Sequence, residues 1–420
     1  MRKQYLCIDL KSFYASVECA ERGLDPMTTR LVVADPDRTE KTICLAVSPA
    51  LKALGIKNRC RVFEIPEGTE YIMAQPRMQK YIDYSADIYA IYLRYFSKED
   101  IHVYSVDEAF MDATDYLSLY KTDARTLAVR IMNDIYNEKG IRATCGIGTN
   151  LYLTKIALDI TAKHASDFIG ELDEEKYIQT MWDYRPLTDF WRIGTGTQER
   201  LEKMGIRTMR DIARYSEDKL YKVFGIDAEL LIDHAWGRET ATIADIKAYK
   251  PETNCISGGQ VLMRDYKYEE AKIVAKEMAD ELCLELVRKN LVASSATLCV
   301  GYSNALQLPM AKGTVSFGTE CSSDKVIVPA VARLFETIVS PLYCVRRFNL
   351  TFNKVISDGY IQFDLFGKHL ANEQAKKIQR TVIDIKDRFG KNAVFKGLDL
   401  HEAATARERN MQIGGHKSGV

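Results

Sequence analysis

Several things are missing from this 420-residue chain. No stretch of about eighteen apolar residues occurs, which excludes a hydrophobic membrane-spanning helix. No Cys-x-x-Cys appears among the ten cysteines, so neither a zinc site nor a disulfide framework is indicated, and a reducing compartment fits best. The six histidines are scattered, and no Ser-His or Cys-His grouping carries a recognisable signature. There are no repeats and no low-complexity tracts. Net charge is absent too, with 58 basic against 58 acidic residues. The balance is uneven along the chain: from Gly367 onward 11 Lys/Arg face 6 Asp/Glu, leaving 47 against 52 elsewhere. A basic tail thus follows a slightly acidic body. Hydrophobic content of 46% and charged content of 28% are those of a globular chain, and the length predicts about three domains. The run Met1-Arg-Lys-Gln-Tyr-Leu-Cys-Ile-Asp9 is too short for a signal peptide, so a cytoplasmic protein without a membrane partner is expected.

What is there reads as an α+β arrangement. Tyr5–Ile8 is a short apolar strand ending at Asp9, followed by a helix over Phe13–Ala20. Strands are expected at 31–34 and 43–47, then a helix from Pro49 to Leu54 closed by Gly55. A long aromatic helix covers 79–96, strands 101–106 and 109–113, a helix 124–136, a strand 143–147 and a helix 150–160. Helices on one side of a sheet are predicted. After about Phe168 strands give way to helices until Trp236, and 247–254 reads as a linker. The order β-α-β-β-α-β follows between Cys255 and Ile356. An amphipathic helix is predicted over 372–389, with Ile378, Val382, Ile385 and Phe389 on its apolar face. The polar stretch 404–416 is expected to be flexible.

The sharpest chemical feature is acidic. Asp9 ends the first strand, and Asp107 and Glu108 sit at a β-turn-β junction in Ser105-Val-Asp-Glu108. If one sheet gathers all three, the grouping is unfavourable alone, since two like charges about 4 Å apart repel by roughly 4 kcal/mol at an effective dielectric near 20. Divalent cations relieve it. Mg²⁺ takes one or two carboxylates plus substrate phosphates, and a pair of such ions clamps an in-line phosphoryl transfer. An Asp-Glu pair can equally just close a hairpin, and Asp9 can cap a helix. The helix after Asp9 offers free amides to an anion. Phe13 and Tyr14 would stand beside a bound nucleoside, or lie in the core.

Asp9-x-x-Ser-Phe-Tyr-Ala-x-Val-Glu18 together with Ser105-Val-Asp-Glu108 resembles the signature of Y-family, translesion DNA polymerases, closest to their UmuC-like bacterial branch. The resemblance implies a right-hand fold, with palm at 1–10 and 75–167, small fingers at 11–74, and a helical thumb at 168–243. It further implies a β-α-β-β-α-β little finger at 244–358. The implied activity is template-directed, error-prone DNA synthesis with two Mg²⁺ ions, acting in DNA repair and the SOS response to damage. Primer-template DNA and deoxynucleoside triphosphates would be the substrates. Asp9, Asp107 and Glu108 would be catalytic metal ligands, with the backbone carbonyl of Leu10. Tyr14 would be the gate against a ribose 2′-OH. The amides of Ser12 and Phe13, with Lys52 and Lys155, would hold the triphosphate. Pro49 departs from the pattern, standing where many relatives have a tyrosine that bonds the triphosphate.

Trp191-Arg-Ile-Gly-Thr-Gly196 resembles a helix-hairpin-helix turn, in which Gly194 and Gly196 let amides approach a DNA phosphate. Gln362-Phe-Asp-Leu-Phe366 resembles the peptide by which bacterial polymerases dock on the sliding clamp, through Gln362, Leu365 and Phe366. A monomer is expected. Two other readings remain at this point. A nucleotide cyclase also places paired acids on a hairpin, and a DNA-binding scaffold could have lost catalysis.

Overall fold

The computed structural model describes residues 2–251, 254–359 and 368–419, with side chains described outside 368–372. Two compact units divide the chain, one of Met1–Tyr249 with Ser418–Val420 and one of Lys250–Lys417.

The first unit holds eight strands: β1 (Tyr5–Leu10), β2 (Leu31–Val33), β3 (Ala46–Val47), β4 (Ile72–Ala74), β5 (Ile101–Val103), β6 (Glu108–Asp112), β7 (Ala143–Gly148) and β8 (Ile169–Leu172). Five of them form a sheet in the order β5-β6-β1-β7-β8, with β1 central and antiparallel to both neighbours. Side chains alternate across it. Leu6, Ile8 and Leu10 enter one core with Ile88, Ile91, Leu127 and Ile131, from the helices Met78–Tyr92 and Ala124–Lys139. Tyr5 and Cys7 face the other way and meet Phe110, Leu151 and Leu158. Helices therefore cover both faces, not one. The second face was hard to foresee because glycines make it. A Cβ on Gly146 would stand 2.1 Å from the Thr154 carbonyl, and one on Gly170 would stand 2.2 Å from that of Ala157. The segment Leu151–Ile156 and its π-helical continuation Ala157–Thr161 lie flush on bare strand backbone.

Strands do not stop at Phe168, because β8 follows and pairs in parallel with β7. Its four residues include Gly170, too little pattern to register as a strand. The apolar run 43–47 yields only β3; Ile43 makes an isolated bridge to Arg61. β4 completes a three-stranded sheet, β3-β2-β4. Five helices between Glu174 and Ala235 enclose a core of Tyr177, Trp182, Phe190, Leu201 and Leu220.

The second unit is a four-stranded antiparallel sheet of β9 (Asn254–Tyr266), β10 (Leu291–Tyr302), β11 (Ala311–Cys321) and β12 (Val345–Ser357), in the order β11-β10-β12-β9. The helices Tyr268–Arg288 and Asp324–Ile338 pack through Val274, Met278, Ile327 and Phe335 onto Leu298, Phe348, Leu350 and Phe352. The helix Lys368–Phe389 buries Ala375, Gln379 and Ile383, while Ile378 is 60% and Phe389 69% exposed. Its buried face is thus rotated from the apolar stripe of the sequence. Ala375 is small, and the Gln379 amide donates to the Ser322 carbonyl at 3.3 Å. The stretch 404–416, expected to be flexible, carries the helix Ala406–Asn410 and contacts the sheet unit. Thr405 and Ala406 donate their amides to the buried Glu277 carboxylate at 2.9 and 3.1 Å, and the hairpin Gln412–Ile413/His416–Lys417 follows.

Candidate active site

Asp9 stands on β1 directly opposite Glu108 on β6 and Thr144 on β7. Asp107 is the residue before Glu108, and its carbonyl accepts the Leu10 amide at 2.9 Å. The Ser105 hydroxyl donates to its carboxylate at 2.6 Å. Sheet register therefore gathers three acids from positions nearly a hundred residues apart. The crowding shows in Asp9, whose carboxyl is raised to about 7 by burial, then by Asp107 and Glu108.

Glu108 is not free. Lys155 approaches its two carboxylate oxygens at 2.7 and 2.8 Å, and the Cys7 thiol donates to it at 3.2 Å. Lys155 also reaches Asp159 at 3.1 Å. Burial works against its charge, yet Glu108 and Asp159 raise its pKa well above the ordinary lysine value. The ammonium expected on a triphosphate is thus engaged inside the protein. With Glu108 turned to Lys155, no group of three His, Cys, Asp or Glu side chains among the described residues is disposed to hold a metal ion. The donor set still suits a hard cation. Asp9 and Asp107 are hard oxygen donors, and a divalent ion would relieve the repulsion by which Asp107 helps to raise the Asp9 carboxyl.

A second crowd of like charge lies beside the first. Lys11 has its pKa lowered by burial and then by Lys52, with Arg142 and Lys163 adding to the effect. Lys52, closing the short helix Pro49–Lys52, lies within electrostatic reach of Asp9, Asp107 and Lys163. Four cations gathered next to carboxylates suit a polyanion that brings its own metal. Lys52 was legible in the sequence. Lys11, Arg142 and Lys163 were not, although Lys11 lies inside the Asp9 motif.

Ser12 takes φ 49° and ψ 46°, in the left-handed region. Its buried hydroxyl has no hydrogen-bond partner among the described residues, and the helix Phe13–Ala20 starts without a side-chain cap. Such strain in a non-glycine residue clusters at functional sites. Phe13 is 3% exposed and its ring belongs to the core, leaving only its amide for a ligand. Tyr14 is half-buried, with its ring stacked on Tyr81.

Gly194 is the residue before the helix Thr195–Lys203, and Gly196 lies in its first turn rather than between two helices. A Cβ on either would meet nothing within 4 Å. Internal packing thus gives no reason for glycine at these two positions. Gln362, Leu365 and Phe366 lie outside the described residues.

Comparison with known proteins follows the same lines. Residues 8–159 match the impB/mucB/samB family, and residues 255–365 match the C-terminal domain of that family. The UvrX protein of Bacillus subtilis (strain 168) is 33% identical over 99% of this chain and 98% of its own length. The chain belongs to this family, the Y-family DNA polymerases. A protein named DNA polymerase IV 2, also from Bacillus subtilis (strain 168), is 32% identical over 99% of this chain and 98% of its own. DNA polymerase IV of Pelotomaculum thermopropionicum is 30% identical over 97% of this chain and 98% of its own. Among solved structures, the Y-family DNA polymerase chimera Dbh-Dpo4(243-245)-Dbh superposes with a TM-score of 0.63, covering 84% of this chain and 99% of that one at 17% identity. The α+β fold is thus that of a Y-family polymerase. No helix among the described residues is long and apolar enough to cross a membrane.

Proposed function

We propose that this chain is a DNA-directed DNA polymerase that extends a primer opposite damaged as well as intact template bases. The observation that carries the proposal is the cross-strand pairing of Asp9 with Glu108, beside Asp107 and next to the cluster Lys11, Lys52, Arg142 and Lys163. Full-length relatives named DNA polymerase IV support it.

Two Mg²⁺ ions bound at Asp9, Asp107, Glu108 and the Leu10 carbonyl would neutralise charge on the triphosphate and on the attacking and leaving oxygens. The protein's own residues position. Asp9, whose proton is lost only near neutral pH, would then serve as a ligand. Lys155 holds Glu108 in place, so Glu108 shares its charge between the ammonium and any bound ion. Lys11, Lys52, Arg142 and Lys163 draw in the triphosphate, and the first amides of the helix Phe13–Ala20 cap it. Tyr14 occupies the space that a ribose 2′-OH would need.

Around this centre, residues 1–10 and 75–167 would serve as palm, 11–74 as fingers, 168–243 as thumb and 244–358 as little finger. Gly194 and Gly196 would grip the DNA backbone. Gln362, Leu365 and Phe366 would dock on a sliding clamp. We take the enzyme to be a cytoplasmic monomer of low fidelity.

The decisive experiment is primer extension by Asp107→Ala and Glu108→Ala, with DNA binding measured in parallel. Extension should vanish while binding persists. Normal extension by either variant would remove the carboxylates from the reaction.

A further inference from the structure

Tyr14 does not stand alone. Its ring stacks on that of Tyr81 at 4.5 Å between centroids and 17° between planes. Tyr81 comes from a different element, the helix Met78–Tyr92, and is 0% exposed. Phe13, the neighbour in sequence, touches the Tyr14 ring only obliquely, at 5.8 Å and 48°.

The other end of Tyr81 is tied down as well. Its hydroxyl donates to Glu18 at 2.8 Å. Glu18 lies one helical turn beyond Tyr14, on the same helix face. Tyr81 thus spans that turn, ring against Tyr14 and hydroxyl against Glu18. The Glu18 carboxylate is itself fixed, because Arg77 grips both its oxygens with two hydrogen bonds of 2.9 Å, and Arg22 adds a third partner. Burial alone would raise the Glu18 carboxyl, but the bonds from Arg77, Arg22 and Tyr81 prevail and hold it below its ordinary value. It stays an anion, and the Tyr81 hydroxyl stays its donor.

We infer that Tyr81 is a positioning residue for sugar selection: its ring backs the Tyr14 ring, and Glu18, clamped by Arg77, holds Tyr81 in register. A gate discriminates only if it cannot swing away from the sugar it excludes. Stacking on a ring that is buried, hydrogen-bonded and part of a second helix denies Tyr14 that freedom. The inference rests on the polymerase proposed above and on Tyr14 as its gate.

Single-nucleotide insertion kinetics with a deoxynucleotide and its matching ribonucleotide test it. In Tyr81→Leu the ratio of kcat/KM for the two sugars should fall about tenfold, the order expected when an aromatic pair is lost. The fall should come from faster ribonucleotide insertion, with deoxynucleotide insertion largely kept. Tyr81→Phe keeps the ring but frees it from Glu18, so its ratio should fall by about threefold, the order of one hydrogen bond. The double variant Tyr14→Ala/Tyr81→Leu should match Tyr14→Ala alone, since no gate ring is left to position.

Unchanged ratios in both Tyr81 variants overturn the inference, as does a double variant less selective than Tyr14→Ala. If Tyr81→Leu fails to fold by its melting curve, an unchanged ratio in Tyr81→Phe suffices. Wild-type protein that inserts no deoxynucleotide at all would instead strike down the polymerase itself.

Discussion

Asp9 couples the site to pH. Its carboxyl is raised from an ordinary value of 3.8 to about 7 by burial and by Asp107 and Glu108. The folded chain therefore keeps a proton that the unfolded chain loses above about pH 4, so this group erodes stability as pH climbs from there to about 7. A divalent cation, if bound at the carboxylates as proposed, would displace that proton and remove the repulsion. In a chelator, the melting temperature should fall between pH 5 and 7.5. Added Mg²⁺ should restore it at pH 7.5 and do little at pH 5, and Asp9→Asn should flatten both responses. An equal Mg²⁺ effect at the two pH values would show that the ion does not compete with the Asp9 proton. Lys155 makes a different demand. Both it and Glu108 have only 9% of their side chains exposed. Lys155→Met would leave a buried carboxylate unpaired, at a cost of about 3–5 kcal/mol. Urea unfolding should show that loss before any nucleotide is added; a lysine serving only a triphosphate would leave the midpoint unmoved.

Between elements, the tight fit of Leu151–Thr161 on β7 and β8 is what brings Lys155 to Glu108. Only glycine permits it, because Gly146 sits where a methyl would overlap both the Thr154 carbonyl and the Leu158 amide, at 2.1 and 2.5 Å. Gly146→Ala should lower stability by about 1–3 kcal/mol or more and depress primer extension by shifting Lys155. A variant with unchanged melting and activity would mean that the segment slides without consequence. The same contact explains what could be read beforehand. The apolar run of β1, the alternation in β12 and the helical patterning of Phe13–Ala20 and Tyr268–Arg288 were legible in the sequence. So were Asp9, Asp107 and Glu108, because a fixed register brings strand ends together. β8 and the second covered face were not, since glycine carries no periodic signal. Lys163 escaped for a related reason. It follows the π-helical turn Ala157–Thr161, outside the motif whose resemblance singled out Lys155, and carries no signal of its own.

For the whole molecule, a net charge of zero means that attraction to DNA cannot come from the overall field. It must come from local clusters, and the described one lies in the unit that holds the carboxylates. The two units have separate cores: Leu6, Ile8 and Ile131 belong to one, Leu298, Phe335 and Phe348 to the other. The second is further closed by its own tail, through Glu277 and the amides of Thr405 and Ala406. Units with separate cores can unfold as separate cooperative blocks. A ligand stabilises only what it binds, by RT ln(1 + [L]/Kd), which is about 2.7 kcal/mol at a hundredfold excess over Kd. Calorimetry of the full chain should therefore resolve two transitions, and Mg²⁺ with a deoxynucleoside triphosphate should raise just one. Asp107→Ala should abolish that rise and leave the other transition in place. If one transition is seen, or if ligand moves both equally, the two cores act as a single block and nucleotide binding is felt throughout the chain.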